Sequence, residues 1–181
     1  MNDVTRIKRE LITKGRIIDY YQDTMQLPNG NVTVWDYIHH KGAAAVVAVQ
    51  DDGKLLMVRQ YRNALDREAL EIPAGALDTE DEPTIVCARR ELSEETGCDC
   101  ETLEFLISIH TTIAFCNEKI DIYVAKGLTL GKQHLDENEF LQVCAYEVDD
   151  LLSMIYEGKL QDSKTVSAIL AYVQKYCRGI S

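Results

Sequence analysis

The chain has 181 residues, 46% of them hydrophobic, and a formal net charge of −11. That length suffices for one domain with a core, or one domain with an appendage. The acidity argues against nucleic-acid binding by phosphate neutralisation, which needs clustered Lys and Arg, and against docking on an anionic membrane surface.

Elements follow in chain order. Val4 to Ile12 and Arg16 to Tyr21 read as strands that mix apolar and polar positions, Leu27-Pro28-Asn29-Gly30 is a turn signal, and Val32 to Ile38 alternates as a half-buried strand does. After Gly42 the continuous apolar run AAAVVAV predicts a buried strand, Asp51-Asp52-Gly53 a hairpin turn, and Lys54 to Tyr61 the partner strand. Ala69 to Ile72 is a brief strand stopped by Pro73. A helix then begins with Pro83 in its first turn, turns Ile85, Ala88 and Leu92 to the core, and ends at Gly97 as its C-terminal cap. Leu103 to His110, Lys119 to Ala125 and Phe140 to Tyr146 read as strands, with a polar loop from Gly127 to Glu139. Asp149 or Asp150 caps a helix through Tyr156, and Asp162 or Ser163 caps a last one running to about Tyr176. The sum is an α/β chain with a mixed sheet and helices on its faces.

No run of about eighteen apolar residues is present to make a membrane-spanning helix. MNDVTRIKRELITKG lacks the apolar stretch of a signal peptide, so the cytoplasm is the expected location. The six cysteines, Cys87, Cys98, Cys100, Cys116, Cys144 and Cys177, have no zinc-site spacing and read as ordinary thiols, several in the core. His39, His40, His110 and His134 likewise show no ligand spacing.

The chemistry concentrates at the end of the Pro83–Gly97 helix. Glu91, Glu94 and Glu95 occupy positions i, i+3 and i+4, which share one helix face. Like charges so placed repel, and a hard divalent cation offsets them by taking carboxylate oxygens as ligands. Arg90 sits beside the cluster to hold one carboxylate in place.

The stretch GALDTEDEPTIVCARRELSEETGC, Gly75 to Cys98, resembles the Nudix box, G-x5-E-x7-R-E-U-x-E-E-x-G-U with U aliphatic. Glu82, Arg90, Glu91, Leu92, Glu94, Glu95 and Gly97 fall into its fixed positions. Six residues instead of five separate Gly75 from Glu82, and the final aliphatic position holds Cys98. The extra residue lies in the loop before Pro83 and leaves the helix register intact. Upstream, Val58-Arg59-Gln60-Tyr61-Arg62 and Leu70-Glu71-Ile72-Pro73-Ala74-Gly75 resemble the ADP-ribose pyrophosphatase branch. Downstream, Asp136 to Phe140 resembles the acidic loop that supplies that branch's catalytic base, and Glu157-Gly158-Lys159 and Asp162-Ser163-Lys164-Thr165 resemble its C-terminal helices. The resemblance covers roughly residues 30 to 175.

It implies a Nudix-type α/β/α sandwich at 42–181 with an N-terminal antiparallel β region at 1–41 that builds a homodimer. It implies metal-dependent hydrolysis of a nucleoside diphosphate sugar, ADP-ribose first, giving AMP and ribose 5-phosphate, with magnesium or manganese as the metal. The implied ligands are Glu91, Glu94, Glu95 and the Ala74 carbonyl. Glu82 binds metal through water or anchors the loop, and Arg90 orients Glu91 or Glu94. Glu139 or Glu137 activates the attacking water, Arg62 pairs with a phosphate, and Glu71 belongs to the substrate site. Trp35 either stacks on adenine or is a core or interface aromatic. ADP-ribose-preferring members carry a proline about sixteen residues after the last box glycine; here that place is Ile113. This keeps another sugar nucleotide, such as GDP-mannose, as the alternative substrate. A non-catalytic ADP-ribose sensor is the alternative of another class, opposed by the retained box glutamates.

Overall fold

The structure, a computed structural model, describes residues 3–135 and 140–179. Its contacts divide the chain into two units, Met1–Gly42 with His110–Lys119, and Ala43–Ile109 with Ile120–Ser181.

The first unit is a three-stranded antiparallel meander of β1 (Thr5–Lys14), β2 (Asp19–Gln26) and β3 (Val32–His39). The second strand starts and ends later than its sequence suggests, because Gly15 closes a turn by donating to the Ile18 carbonyl at 2.9 Å. At the other turn, Gly30 adopts φ 86° and donates to the Leu27 carbonyl. Arg9 grips Asp23 through two hydrogen bonds of 2.6 Å and lies 3.5 Å from the centre of the Tyr37 ring. The segment 110–119 joins this unit where Ile38 N–H meets the Phe115 carbonyl and the Asn117 side chain clamps both backbone groups of His40.

The second unit is built on a seven-stranded mixed sheet. Its main path runs β10 (Leu141–Tyr146), β5 (Leu55–Arg62), β4 (Ala43–Val49), β9 (Lys119–Leu130), β8 (Cys98–His110). β4 runs parallel to β9 and antiparallel to β5. The run AAAVVAV is buried at every position, as a strand covered on both faces requires. Its alternation sorts the core into two layers. Ala45, Val47 and Val49 pack with Leu151, Ala168 and Ile169 from α2 (Val148–Tyr156) and α3 (Ser163–Tyr172). Ala44, Val46 and Ala48 pack with Cys87, Ala88 and Leu92 from α1 (Thr84–Thr96). A sheet between one helix and a helix pair is the α/β/α sandwich. Among the described residues, no helix is long and apolar enough to cross a membrane.

β4 and β5 pair only near their turn, at Ala48 with Leu56 and Val49 with Leu55, and then part. Two short strands fill the opening. β6 (Arg67–Glu71) pairs with the far end of β5, and β7 (Ala74–Ala76) with Ala43–Ala45 of β4. Pro73 bridges them and accepts Val46 N–H at 2.9 Å. The approach to the acidic helix is therefore anchored inside the sheet.

Several local expectations need correction. Pro83 is the N-terminal cap rather than a first-turn residue, and Ile85 is exposed; Cys87, Ala88, Glu91, Leu92 and Glu95 form the buried side of α1. Gly97 closes that helix in the left-handed conformation, φ 71°. Helix α2 is capped by Glu147, with Asp149 and Asp150 in its first turn. Asp162 caps α3 through Thr165 N–H, and a π-helical turn, Val173–Cys177, extends it. All six cysteines are free thiols.

Candidate active site

The acidic end of α1 lies against β7. Glu95 is 2% exposed and accepts the Ala74 N–H at 3.0 Å. Glu91 is also buried, its carboxylate lying over the α-carbon of Gly75, where a β-carbon would stand 2.1 Å from the carboxyl carbon. Only glycine leaves room for that approach. Glu94 is more open, its side chain 41% exposed.

Arg90 ties these groups to the preceding loop. Its guanidinium donates to Glu91 Oε1 at 2.5 Å, Glu94 Oε2 at 3.2 Å and the Ala76 carbonyl at 3.1 Å. It also reaches both oxygens of Glu82 at 3.4–3.5 Å. Arg90 thus touches both glutamates between which the sequence left its role open. Glu82 accepts Asp78 N–H at 2.7 Å, closing the loop onto the helix. Burial works against ionising Glu82, but the Asp78 amide and Arg90 outweigh it and hold its pKa below the ordinary value. Burial pushes the Cys87 thiol up to about 12, so it stays protonated beside the Gly75 and Ala76 carbonyls and is no nucleophile.

Among the described residues, no three His, Cys, Asp or Glu side chains already converge as a metal cage. The donors around β7 fit a hard divalent cation in kind: carboxylate oxygens on a rigid helix beside a sheet carbonyl. Charge supplies the second reason for the fit. Glu91 and Glu95 are buried, Arg90 pairs with Glu91 and Glu94, and a bound divalent ion would relieve the remaining repulsion.

A second cluster lies across β6. Arg62 Nε and Nη2 donate to Glu71 Oε1 and Oε2, each at 2.7 Å, a bidentate pair. Lys164 Nζ donates to Glu71 Oε2 at 2.5 Å. Burial alone would raise the Glu71 pKa; Arg62 and Lys164 more than reverse that and bring it to about 2. The pair borders a cleft of about 460 Å³, walled by the β5–β6 turn and the α2–α3 linker. The hydrogen bond to Glu71 first, and to a lesser degree the charges of Glu95 and Asp162, hold the Arg62 guanidinium above its ordinary pKa.

The remaining sequence candidates fall elsewhere. Trp35 is on β3 of the first unit, opposite Asp23 and 46% exposed, so it is not a core residue of that meander. Ile113 is 83% exposed in the 110–119 segment. Glu137 and Glu139 lie outside the described residues. The chain leading to them is held against the end of α1, with Gln133 donating to the Glu95 carbonyl at 2.6 Å and His134 N–H to the Glu94 carbonyl at 3.1 Å. Sequence reasoning assigned no site role to Lys164, Asp162 or Thr165. The available signal was a lysine on the apolar side of a helix, at 164, with 165, 168, 169 and 172 also buried.

The NUDIX domain model matches residues 39–168. The chain is 42% identical over 165 residues to a methanol dehydrogenase activator of Bacillus methanolicus, covering 90% of this chain and 89% of that one. It is 38% identical, with the same coverage, to an ADP-ribose pyrophosphatase of Bacillus subtilis. The fold matches a crystal structure of an ADP compounds hydrolase with a TM-score of 0.84, at 23% identity, over 97% of this chain and 95% of that one. With the box residues gathered on α1 and β7, these likenesses establish that the chain belongs to the Nudix family, on its ADP-ribose pyrophosphatase-like branch, and is a Nudix pyrophosphohydrolase.

Proposed function

We propose that the enzyme hydrolyses the pyrophosphate bond of a nucleoside diphosphate sugar, with ADP-ribose as the preferred substrate and AMP and ribose 5-phosphate as products. The observation that carries this reading is the seating of Glu91 and Glu95 on the backbone of β7, with Arg90 bonded to Glu91 and Glu94. Glu91, Glu94, Glu95 and the Ala74 carbonyl would hold magnesium, with manganese an equally suitable oxygen-ligated ion. The chemistry a bound divalent cation supplies is neutralisation of phosphate charge and acidification of water. The protein's own residues do the rest. Arg90 keeps two of the carboxylates in place, Glu139 or Glu137 takes the proton of the attacking water, and Arg62, oriented by Glu71, uses its remaining N–H groups on a phosphate. Water adds to one phosphorus and the bridging oxygen departs with the other. Trp35, half-exposed on β3, is proposed to stack on the base.

Ile113 in place of the branch's proline favours one second reading, the same chemistry on another sugar nucleotide. Chromatography of products from ADP-ribose, GDP-mannose, ADP-glucose and NADH, each with magnesium, separates the two. AMP mainly from ADP-ribose is the expected outcome; preference for another compound would displace ADP-ribose and make Ile113 and Trp35 the first positions to mutate.

The N-terminal region, 1–41, is proposed to build a homodimer. Ile7, Leu11 and Ile12 on β1 and Val32 and Val34 on β3 are exposed apolar side chains that a partner chain would cover. Sedimentation should show a dimer, and a monomer at micromolar concentration would end that part of the reading.

A further inference from the structure

Lys164 is 9% exposed, on the side of α3 that faces the core. An ammonium so buried is costly unless paired. It is paired twice, with Glu71 Oε2 at 2.5 Å and Asp162 Oδ2 at 3.0 Å. Asp162 also accepts from Thr165 N–H at 3.1 Å and Thr165 Oγ1 at 2.6 Å. Thr165, fully buried, accepts Ile72 N–H on the same hydroxyl at 3.0 Å. The start of α3 is thereby stitched to the end of β6 twice, once through backbone and once through charge.

The consequence falls on Arg62. Its side chain is 41% exposed at the edge of the cleft, where a guanidinium paired with a mobile carboxylate would sample several orientations. Glu71 is held from a second side, because Lys164 donates to the oxygen that Arg62 Nη2 also uses. The charged groups facing this carboxylate are Arg62 from β5 and Lys164 from α3, with Asp162 behind Lys164 and Glu95 acting on Arg62 from α1.

We propose that Lys164 is a positioning residue, which fixes Glu71 so that Arg62 presents its free N–H groups to the substrate's phosphate in one orientation. This rests on the reading of Arg62 as a phosphate ligand. A purely structural staple would lower stability and the active fraction without changing KM.

The test is steady-state kinetics on ADP-ribose with magnesium, in the full chain, for Lys164→Met and Lys164→Arg. Lys164→Met should raise KM about tenfold with kcat within about threefold, the pattern of lost ground-state and transition-state binding alike. Lys164→Arg keeps a cation between two carboxylates and should bring KM back to within about threefold. In an Arg62→Ala background, Lys164→Met should raise KM by no more than about twofold, because the residue it positions is gone. An unchanged KM, or an equal rise without Arg62, overturns the inference. Should Lys164→Met fail to fold, or the wild type not turn over ADP-ribose, the Arg62 Nε–H resonance of wild type and Lys164→Gln decides. Faster exchange in the variant supports the inference and an unchanged signal overturns it. A wild type inactive on ADP-ribose is itself the failure of the ADP-ribose reading, so the two are told apart.

Discussion

A Glu95→Gln variant should lose about 10²–10³-fold in kcat while keeping its fold, the scale on which removing one electrostatic stabiliser of a transition state acts. The amide retains an oxygen that can accept the Ala74 N–H now at 3.0 Å from Glu95, so the joint between α1 and β7 survives. What disappears is a negative charge that is 2% exposed and has little water to dilute its effect. Steady-state kinetics beside a thermal melt checks both halves. Full activity in this variant would remove Glu95 from the metal site and, with it, the chemical reading of the acidic helix.

The largest stability effect is expected at Glu71. Replacing it with Gln leaves Arg62 and the buried Lys164 without their shared counter-charge, which should cost about 3 kcal/mol. In a chain of this length that lowers Tm by about 10 °C. The pH dependence has a definite sign. The carboxyl group lies at about 2 in the fold against an ordinary value of 4.5, so its stabilisation is fully present above about pH 4.5 and fades as pH falls toward 2. Urea unfolding of wild type and variant at about pH 6, 4 and 3 should show a gap that narrows through this window. A gap independent of pH would mean that the Glu71 charge contributes nothing and that only shape was lost.

How far these features were legible in advance depended on how local their causes are. AAAVVAV announced a strand covered on both faces, and Gly97 announced a left-handed helix end, because each signal is carried by the residues themselves. Glu91, Glu94 and Glu95 were readable from helical spacing alone. β7 was not readable. Its three residues, Ala-Gly-Ala, have little strand preference and are held by pairing with Ala43–Ala45, some thirty residues earlier. Ile85 was placed in the core by periodicity, yet it is exposed. The helix is turned so that Glu91 and Glu95 reach β7, and Cys87 takes the inward position. The Arg62–Glu71–Lys164 cluster was half readable. Arg62 and Glu71 sit in recognisable strands, but the burial of Lys164 depends on a helix that is 93 residues away from Glu71 in sequence.

The most direct test of the central claim is chromatography of products from ADP-ribose after the protein has been stripped with a chelator and then supplied, or not, with magnesium or manganese. AMP and ribose 5-phosphate in equal amounts, formed only when a divalent ion is restored, is the predicted result. Turnover undiminished in the chelator, or no AMP with either metal, would contradict the assignment of Glu91, Glu94 and Glu95 as the ligands of a catalytic cation.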